Sequence, residues 1–362
     1  MEKARISASQ LFVLIVLFQL SNSFLLSLGI NGKQDAWLII LIAMAISMVL
    51  FFVYYALYQY HPGILPTEYI EELIGKLLGR TLAFLYILYF ITIASRVLRD
   101  IGETLVTFAY PETPLFVMNA LMIFVVVYTV YKGIENIART GELLVVIMFL
   151  LILSIFLLVV LTGLIDTSNL QPVLENPSTV MKTVFTETLY VPFGEIIIFT
   201  MIFSYLTQPK KVIKAGVLAI SVTGVILAIT MALNISVLGV MLTSRSYFPM
   251  LTTIQSIEVG EFLERLDVFF ILVLVIGGFF KVTVYTYGAV IGTASLFKFK
   301  EPSKLAYPLG IVILILSMII ASSYAEHIQE GLKVFPLYVH IPFQVIIPVS
   351  LLLIAFVKNR KK

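Results

Sequence analysis

The chain has 362 residues, of which 60% are apolar and only 12% are charged. Soluble domains carry about a quarter charged residues, so this composition excludes an ordinary soluble protein. The chain has no cysteine, which excludes a disulfide framework, a thiol nucleophile and a thiolate metal site. It contains no phosphate-binding loop and no nucleophile–base pair, and we therefore expect no enzyme activity, no cofactor, no metal and no nucleic acid partner.

Ten apolar runs are long enough to cross a bilayer, and we refer to them as segments 1 to 10. The connections between them are too short for a separate domain, so residues 1–362 are expected to form one all-α transmembrane domain. The apolar run after the basic N-terminus is expected to be a retained helix rather than a cleaved signal peptide. The segments lie at roughly 9–30, 36–60, 81–108, 115–131, 142–165, 187–206, 213–242, 267–297, 306–324 and 335–357.

The positive charges predict which side of the membrane each connection faces. Short connections rich in Lys and Arg stay in the cytoplasm. With both termini on that side, sixteen of the 24 Lys and Arg residues fall there and five fall on the opposite side. The remaining three, Arg96, Arg99 and Lys281, lie within segments. This asymmetry predicts an even number of crossings and both termini on the cytoplasmic side.

Segments 1 and 6 are interrupted near their middles, at Ser21-Asn22-Ser23 and at Val191-Pro192-Phe193-Gly194-Glu195. Proline removes a backbone donor and glycine loosens a helix, so both segments are predicted to be broken. Freed backbone is tolerated at membrane depth where protein buries it or where it lines a polar cavity. Matched breaks five segments apart indicate two inverted repeats, about 9–165 and 187–357, with a solute site between them. The alternative is that Pro192 only kinks a packed helix.

Six charged residues lie within the apolar segments, where each is unfavourable by roughly 2.5–3.5 kcal/mol. Three are positive and three are negative, as expected for an internal network that faces other helices rather than lipid. Lys281 is expected to pair with Glu195, and it could also supply a fixed positive charge in place of a coupling cation. The six are Arg96, Arg99, Asp100 and Glu103 in segment 3, Glu195 in segment 6 and Lys281 in segment 8.

The charged residues of segment 3 share one helical face. Arg96–Asp100 and Arg99–Glu103 are spaced i,i+4, so each pair can meet along the helix. For Arg96 and Asp100 a structural clamp between helices is the alternative to ligand binding. Glu103 lies nearer the outer mouth, where with Arg99 it could gate access. The same stripe also carries Tyr89 and Thr92.

Three connections have patterns of their own. Residues 61–80 show the apolar spacing of a short helix that lies in the membrane interface. Residues 243–267, with Glu258, Glu261 and Glu264, predict one or two short helices over an outer vestibule. Residues 166–186, with Pro172 and Pro177, are predicted to be an irregular linker.

Several short motifs resemble the spore germination B-subunit family, the membrane proteins of nutrient germinant receptors in spore-forming bacteria. The resemblance covers nearly the whole chain, and the order and spacing of the motifs make it specific. They are Ile6-Ser7-Ala8-Ser9-Gln10, Asp35-Ala36-Trp37, Leu78-Gly79-Arg80, Arg99 with Glu103 and Glu112-Thr113-Pro114, Arg139 with Glu142, Asn169-Leu170-Gln171-Pro172-Val173-Leu174, Phe193-Gly194-Glu195 and Phe262-Leu263-Glu264-Arg265-Leu266-Asp267.

The resemblance implies the LeuT-like fold of the amino acid–polyamine–organocation transporter superfamily, with ten helices in a 5+5 inverted repeat. It also implies germinant receptor A and C subunits as partners and the spore inner membrane as the location. Serines stand where superfamily transporters usually have a Gly-x-Gly break in segment 1. By position, the ligand site implied in segments 1, 3, 6 and 8 comprises Ser21, Asn22, Ser23, Tyr89, Thr92, Arg99, Phe193, Gly194, Glu195, Lys281 and Tyr285.

Together these observations predict a nutrient sensor in a lipid bilayer. A half-helix start suits a carboxylate, and freed carbonyls with Glu195 suit an ammonium group. The predicted solute is therefore a small germinant, an amino acid above all, although a polar uncharged solute could use the same groups. An amino acid permease with the same site is the alternative, and an ion-conducting channel subunit is a third hypothesis.

Overall fold

The computed structural model of the protein describes residues 5–257 and 266–359. Within these residues the regular elements are helices, and one isolated β-bridge joins Ile6 to Leu206. In the described part of the chain, eight helices are long and apolar enough to cross a membrane, and two shorter apolar helices, Ala8–Phe24 and Leu115–Tyr131, correspond to segments 1 and 4. The prediction of an all-α polytopic membrane protein is confirmed.

Seven segments are helices whose bounds differ from the predicted ones by at most eight residues, and one of them, segment 7, contains a kink at Gly239. Segments 3 and 5 begin earlier than predicted, because Gly75 and Gly133 adopt φ angles of 90° and 87° and turn the chain directly into each helix. The seven are segment 2 (Ala36–Tyr60), segment 3 (Lys76–Phe108), segment 4 (Leu115–Tyr131), segment 5 (Ile134–Leu161), segment 7 (Val212–Arg245), segment 8 (Asp267–Phe297) and segment 9 (Ala306–Ile319).

Segment 1 is broken where the sequence predicts. Its helix Ala8–Leu20 begins with a capping box, in which Ser7 and Gln10 satisfy each other's backbone N–H groups. The helix ends at Ser21, whose ψ of −114° lies outside the helical range. A 3₁₀ turn, Asn22–Phe24, then carries the chain onward. The serine-rich interruption therefore unwinds segment 1 without glycine.

Segment 6 is also broken where the sequence predicts. It starts as the α-helix Pro177–Thr183, widens into the π-helix Val184–Phe193 and tightens into the 3₁₀-helix Gly194–Met201. Val191, just before Pro192, has the non-helical angles φ −123° and ψ 117°. The prediction of an irregular linker up to residue 186 is wrong in its last part, because Asn176 caps a helix that begins at Pro177.

Segment 10 has an irregular helix that the sequence analysis does not predict. It begins with Tyr324–Gln329 and ends with the α-helix Ile347–Asn359. Between them lie the π-helices Glu330–Val334 and Pro336–Ile346. Pro342 lies inside this stretch, where it cannot donate an intrahelical hydrogen bond.

The connections agree with the predictions in part. The short helix predicted in the 61–80 connection is present as Pro66–Ile74, with Pro66 in its first turn. The 243–267 connection contains the short helix Pro249–Gln255. Its acidic residues Glu258, Glu261 and Glu264 lie outside the described residues.

Three pairs of segments that lie five positions apart in the chain pack against each other. Segment 2 packs on segment 7, segment 3 on segment 8, and segment 4 on segment 9. A two-fold relation between inverted halves places equivalent helices in this way. The broken segments 1 and 6 also meet, and segment 8 contacts both of them.

Close packing brings segment 8 against the break of segment 1. Gly277 faces Ser21, and a Cβ built on Gly277 would lie 2.6 Å from the Ser21 Cα. Small residues at such points let helices approach each other within a membrane. The approach keeps segment 8 beside the unwound turn.

We expect Gly277→Ala to lower the free energy of unfolding by about 1–3 kcal/mol, because the new methyl group would overlap backbone that cannot rotate away. The measurement is the thermal unfolding midpoint of the purified chain in detergent. Gly292→Ala in the same helix is the matched control, because its Cβ would meet side-chain atoms at 3.1 Å or more. Equal midpoints for the two variants would contradict the close approach at Ser21.

Candidate functional site

A cavity of about 50 Å³ lies between the two broken segments, segment 3 and segment 10. One part of its wall is polar and the other is apolar. The polar residues are Asn22, Arg96, Asp100, Glu195, His327 and His340, and the others are Leu26, Ile93, Val97, Val191, Ile328, Gly331, Leu332 and Phe335.

The ion pair between Lys281 and Glu195 borders this cavity. The Lys281 ammonium lies 2.5 Å from the Glu195 carboxylate, and their side chains are 0% and 4% exposed. The ammonium also donates to the Asn22 side-chain oxygen at 2.8 Å and lies 5.2 Å from the centre of the Phe18 ring. The predicted pairing of segments 6 and 8 is therefore present, and it includes the break of segment 1.

Asp100 links segments 1, 3 and 10. One of its carboxylate oxygens accepts a hydrogen bond from the Asn22 amide nitrogen at 2.9 Å, and the other lies 2.9 Å from the Nε2 atom of His327. All three side chains are buried. Asn22 thus connects the anion in segment 3 with the cation in segment 8.

Arg96 lines the cavity on the side of segment 10. Its guanidinium group donates to the main-chain oxygen of His327, lies 3.5 Å from the Glu330 carboxylate and stacks over the Phe335 ring at 4.3 Å. The strongest contacts of Arg96 are therefore with segment 10, whereas those of Asp100 are with Asn22 and His327. The two side chains bind different partners although their i,i+4 spacing would allow a direct pair.

Arg99 and Glu103 form the second predicted pair, at 3.1 Å, but they lie away from the cavity. The Arg99 guanidinium donates to main-chain oxygens at the end of segment 9, at 2.9 Å for Ala321 and 3.1 Å for Met318. Free carbonyl groups at a helix end are natural partners for a guanidinium. In this structure Arg99 clamps segment 3 to segment 9.

Tyr89 lies in a buried polar cluster with the cavity residue His340 and does not itself line the cavity. Its hydroxyl group is 2.9 Å from His340 Nδ1 and accepts from the Gln344 amide at 2.9 Å. Its ring stacks on Phe343 at 4.9 Å. Thr92 also lies outside the cavity lining, and its hydroxyl donates to the Leu88 carbonyl within its own helix.

The remaining predicted residues surround the ion pair. The Ser21 hydroxyl donates to the Asn22 side chain at 3.2 Å, and the buried Ser23 hydroxyl has no partner among the described residues. Tyr285 is fully buried, and its hydroxyl has no hydrogen-bond partner among the described residues. Phe193 is buried at the break of segment 6, and Gly194 leaves room for the Gln344 side chain.

Segment 10 contributes residues that the sequence analysis missed. His327 and His340 line the cavity, and Gln344 joins the cluster around Tyr89. None of the three is among the site residues predicted from the sequence. The sequence does contain a signal for two of these residues. His340 and Gln344 are spaced i,i+4 inside an apolar run, which is the spacing that identified the charged pairs of segment 3.

Comparison with known proteins shows that the chain is similar to several spore germination proteins. The family model described as spore germination protein matches residues 5–325. Spore germination protein KB of Bacillus subtilis (strain 168) is 52% identical to this chain, and the alignment covers 100% of this chain and 97% of that protein. Spore germination protein B2 of the same organism is 28% identical over 75% of this chain and 73% of its own length.

Among solved structures, the crystal structure of MhsT in complex with L-phenylalanine is similar, with a TM-score of 0.69. The superposition covers 97% of this chain and 86% of that chain at 14% identity. The likeness at this identity concerns the fold alone. It confirms the predicted LeuT-like fold, in which segments 1 and 6 are the broken helices.

We expect Lys281→Met to lower the free energy of unfolding by roughly 3–5 kcal/mol, because it leaves the Glu195 charge buried without its partner. The double variant Lys281→Met, Glu195→Gln should recover a large part of this loss, as measured by thermal unfolding in detergent. The exposed pair Lys304–Glu301, also at 2.5 Å, is the matched control, and its removal should leave the unfolding midpoint unchanged. A double variant no more stable than the single one would contradict the pairing.

Proposed function

Since this chain belongs to the spore germination protein family, the B subunits of nutrient germinant receptors, we propose that it binds a germinant in the central cavity and signals germination. The germinant is a small amino acid. The observation that carries the proposal is the set of buried charges at the two helix breaks, where Lys281, Asp100 and Glu195 meet around Asn22.

The chemistry of the cavity supports an amino acid. A carboxylate needs a cation or N–H groups, and an ammonium group needs a carboxylate. Asp100 and Glu195 line the cavity, and Lys281 contacts the cavity residue Asn22, so both signs lie within one group of side chains. MhsT, which has the same fold, is described in complex with L-phenylalanine, and this supports an amino acid as the ligand class.

Signalling requires that the ligand favour one of two conformations. The cavity side chains belong to segments 1, 3, 6 and 10, and two of these are broken helices. A ligand that changes the contacts of Asn22 or Arg96 therefore acts on elements that can move relative to the packed segments. We propose that this rearrangement is passed to the A and C subunits.

The protein is an integral multi-pass membrane protein, and we propose that it lies in the spore inner membrane with both termini on the cytoplasmic side. The distribution of Lys and Arg supports this orientation. In the structure the chain just after the N-terminus contacts the end of segment 6, where Ile6 donates to Tyr205 and accepts from Thr207, each at 3.0 Å. We also propose the repeat bounds 9–165 and 187–357.

An amino acid permease is the second candidate function, and the shared fold with MhsT favours it. Reconstitution of the purified chain into liposomes separates the two functions. The receptor proposal predicts that labelled L-alanine binds but does not accumulate against its gradient. Accumulation that depends on an ion gradient, without A and C subunits, would establish the permease instead.

We expect Asp100→Asn to raise the amino acid concentration for half-maximal germination at least tenfold, about 1.4 kcal/mol, because the ammonium group would lose its carboxylate partner. The measurement is the germination rate of spores in which the variant replaces the wild-type chain, with the protein level determined alongside. Glu112→Gln, at an exposed position outside the cavity, is the matched control. Equal responses of the two variants would show that the cavity is not the germinant site, and unchanged germination without the chain would overturn the receptor role.

A further inference from the structure

Asn22 contacts both charged ends of the candidate site at once. Its amide nitrogen donates to Asp100 at 2.9 Å, and its amide oxygen accepts from Lys281 at 2.8 Å. The asparagine, the aspartate and the lysine are buried. The amide is therefore held between an anion and a cation, with its donor toward the anion and its acceptor toward the cation.

An α-amino acid has the same arrangement of donor and acceptor. Its ammonium and carboxylate groups are bonded to one carbon, as the nitrogen and oxygen of the asparagine amide are, so donor and acceptor lie within about 3 Å in both. The ammonium could take the place of the amide nitrogen at Asp100. The carboxylate could take the place of the amide oxygen at Lys281.

Charge determines which of the two occupants binds better. The contacts of Asn22 are already hydrogen bonds with one ionised partner, and a second ionised partner adds direct attraction between opposite charges. The exchange would turn two contacts between an ion and a neutral amide into two contacts between ions. A zwitterion also leaves the net charge of the cavity unchanged, whereas a ligand with a net charge would add an unpaired ion to a buried site.

The apolar part of the wall limits the ligand's side chain. Leu26, Val97, Leu332 and Phe335 line the cavity next to Asn22, and the cavity measures about 50 Å³. That volume holds a few water molecules. It therefore suits a side chain as short as that of glycine, alanine or serine.

We propose that the Asn22 side chain is an internal stand-in for the zwitterionic end of a small neutral α-amino acid. The ligand displaces the side chain, which breaks its contacts to Asp100 and Lys281 and frees the turn Asn22–Phe24 from segments 3 and 8. This inference rests on the proposed function, because it assigns an occupant to the same cavity. In this proposal Asn22 competes with the ligand for Asp100 and Lys281 and is not one of the residues that bind the ligand.

The test is the affinity of the full-length chain in lipid nanodiscs for radiolabelled L-alanine. Asn22→Ala removes the competitor, and we expect it to bind L-alanine at least tenfold more tightly than the wild type. Asn22→Ser, which keeps a hydroxyl group in the turn, should lie between the two. Asn119→Ala is the matched control, because Asn119 is a buried asparagine that bonds to Ser317 outside the cavity, and it should leave the affinity unchanged.

Propionate and L-alaninamide, which each lack one charge of the zwitterion, should compete at least tenfold less well than L-alanine. Weaker or unchanged binding by both Asn22 variants, with wild-type binding intact, would overturn the stand-in and leave the proposed function standing. If no small neutral amino acid binds either form, the stand-in is overturned as well. The germination phenotype of spores without the chain then decides separately whether the receptor role survives.

Discussion

A bilayer offers no water to a polar group, so each buried charge in this protein must find its partner within the protein. The contact on which the rest depends is the Lys281–Glu195 ion pair, which joins segment 8 to the break of segment 6. Either charge alone at that depth would be strongly unfavourable. The pair therefore fixes where the two helices meet, and the unwound turn of segment 1 completes it through Asn22.

The polar contacts extend from this pair across the molecule. Asn22 bonds to Asp100, Asp100 bonds to His327, and Arg96 bonds to the main chain of His327. Side chains of segments 1, 3, 6, 8 and 10 therefore belong to one connected polar group. A change at one member removes a partner from its buried neighbours. The helices are therefore coupled through their polar side chains as well as through apolar packing, and the proposed receptor needs such coupling to convert binding into movement.

The sequence predicts the fold well because a membrane restricts the chain strongly. Length and apolarity locate the segments, and Pro192 and the serine-rich turn locate the breaks. The sequence predicts pairs of charged side chains less well, because i,i+4 spacing identifies which side chains can meet but not which partner binds more strongly. Arg99 and Glu103 do meet, whereas Arg96 binds segment 10, whose course depends on π-helical turns that the apolar pattern does not reveal. Tertiary contacts of this kind can be assigned only when the neighbouring helix is in place.

The size of the cavity links ligand binding to a rearrangement of the protein. About 50 Å³ is enough for a few water molecules and too little for a whole amino acid unless lining side chains move. In the proposed receptor, binding and rearrangement are therefore one event. The side chains that must move belong to the broken helices, whose turns are held by side-chain contacts rather than by a continuous helical hydrogen-bond pattern. A ligand that replaces those side-chain contacts with stronger ones stabilises the rearranged state. The difference in free energy between the ligand contacts and the side-chain contacts they replace is the free energy available for signalling.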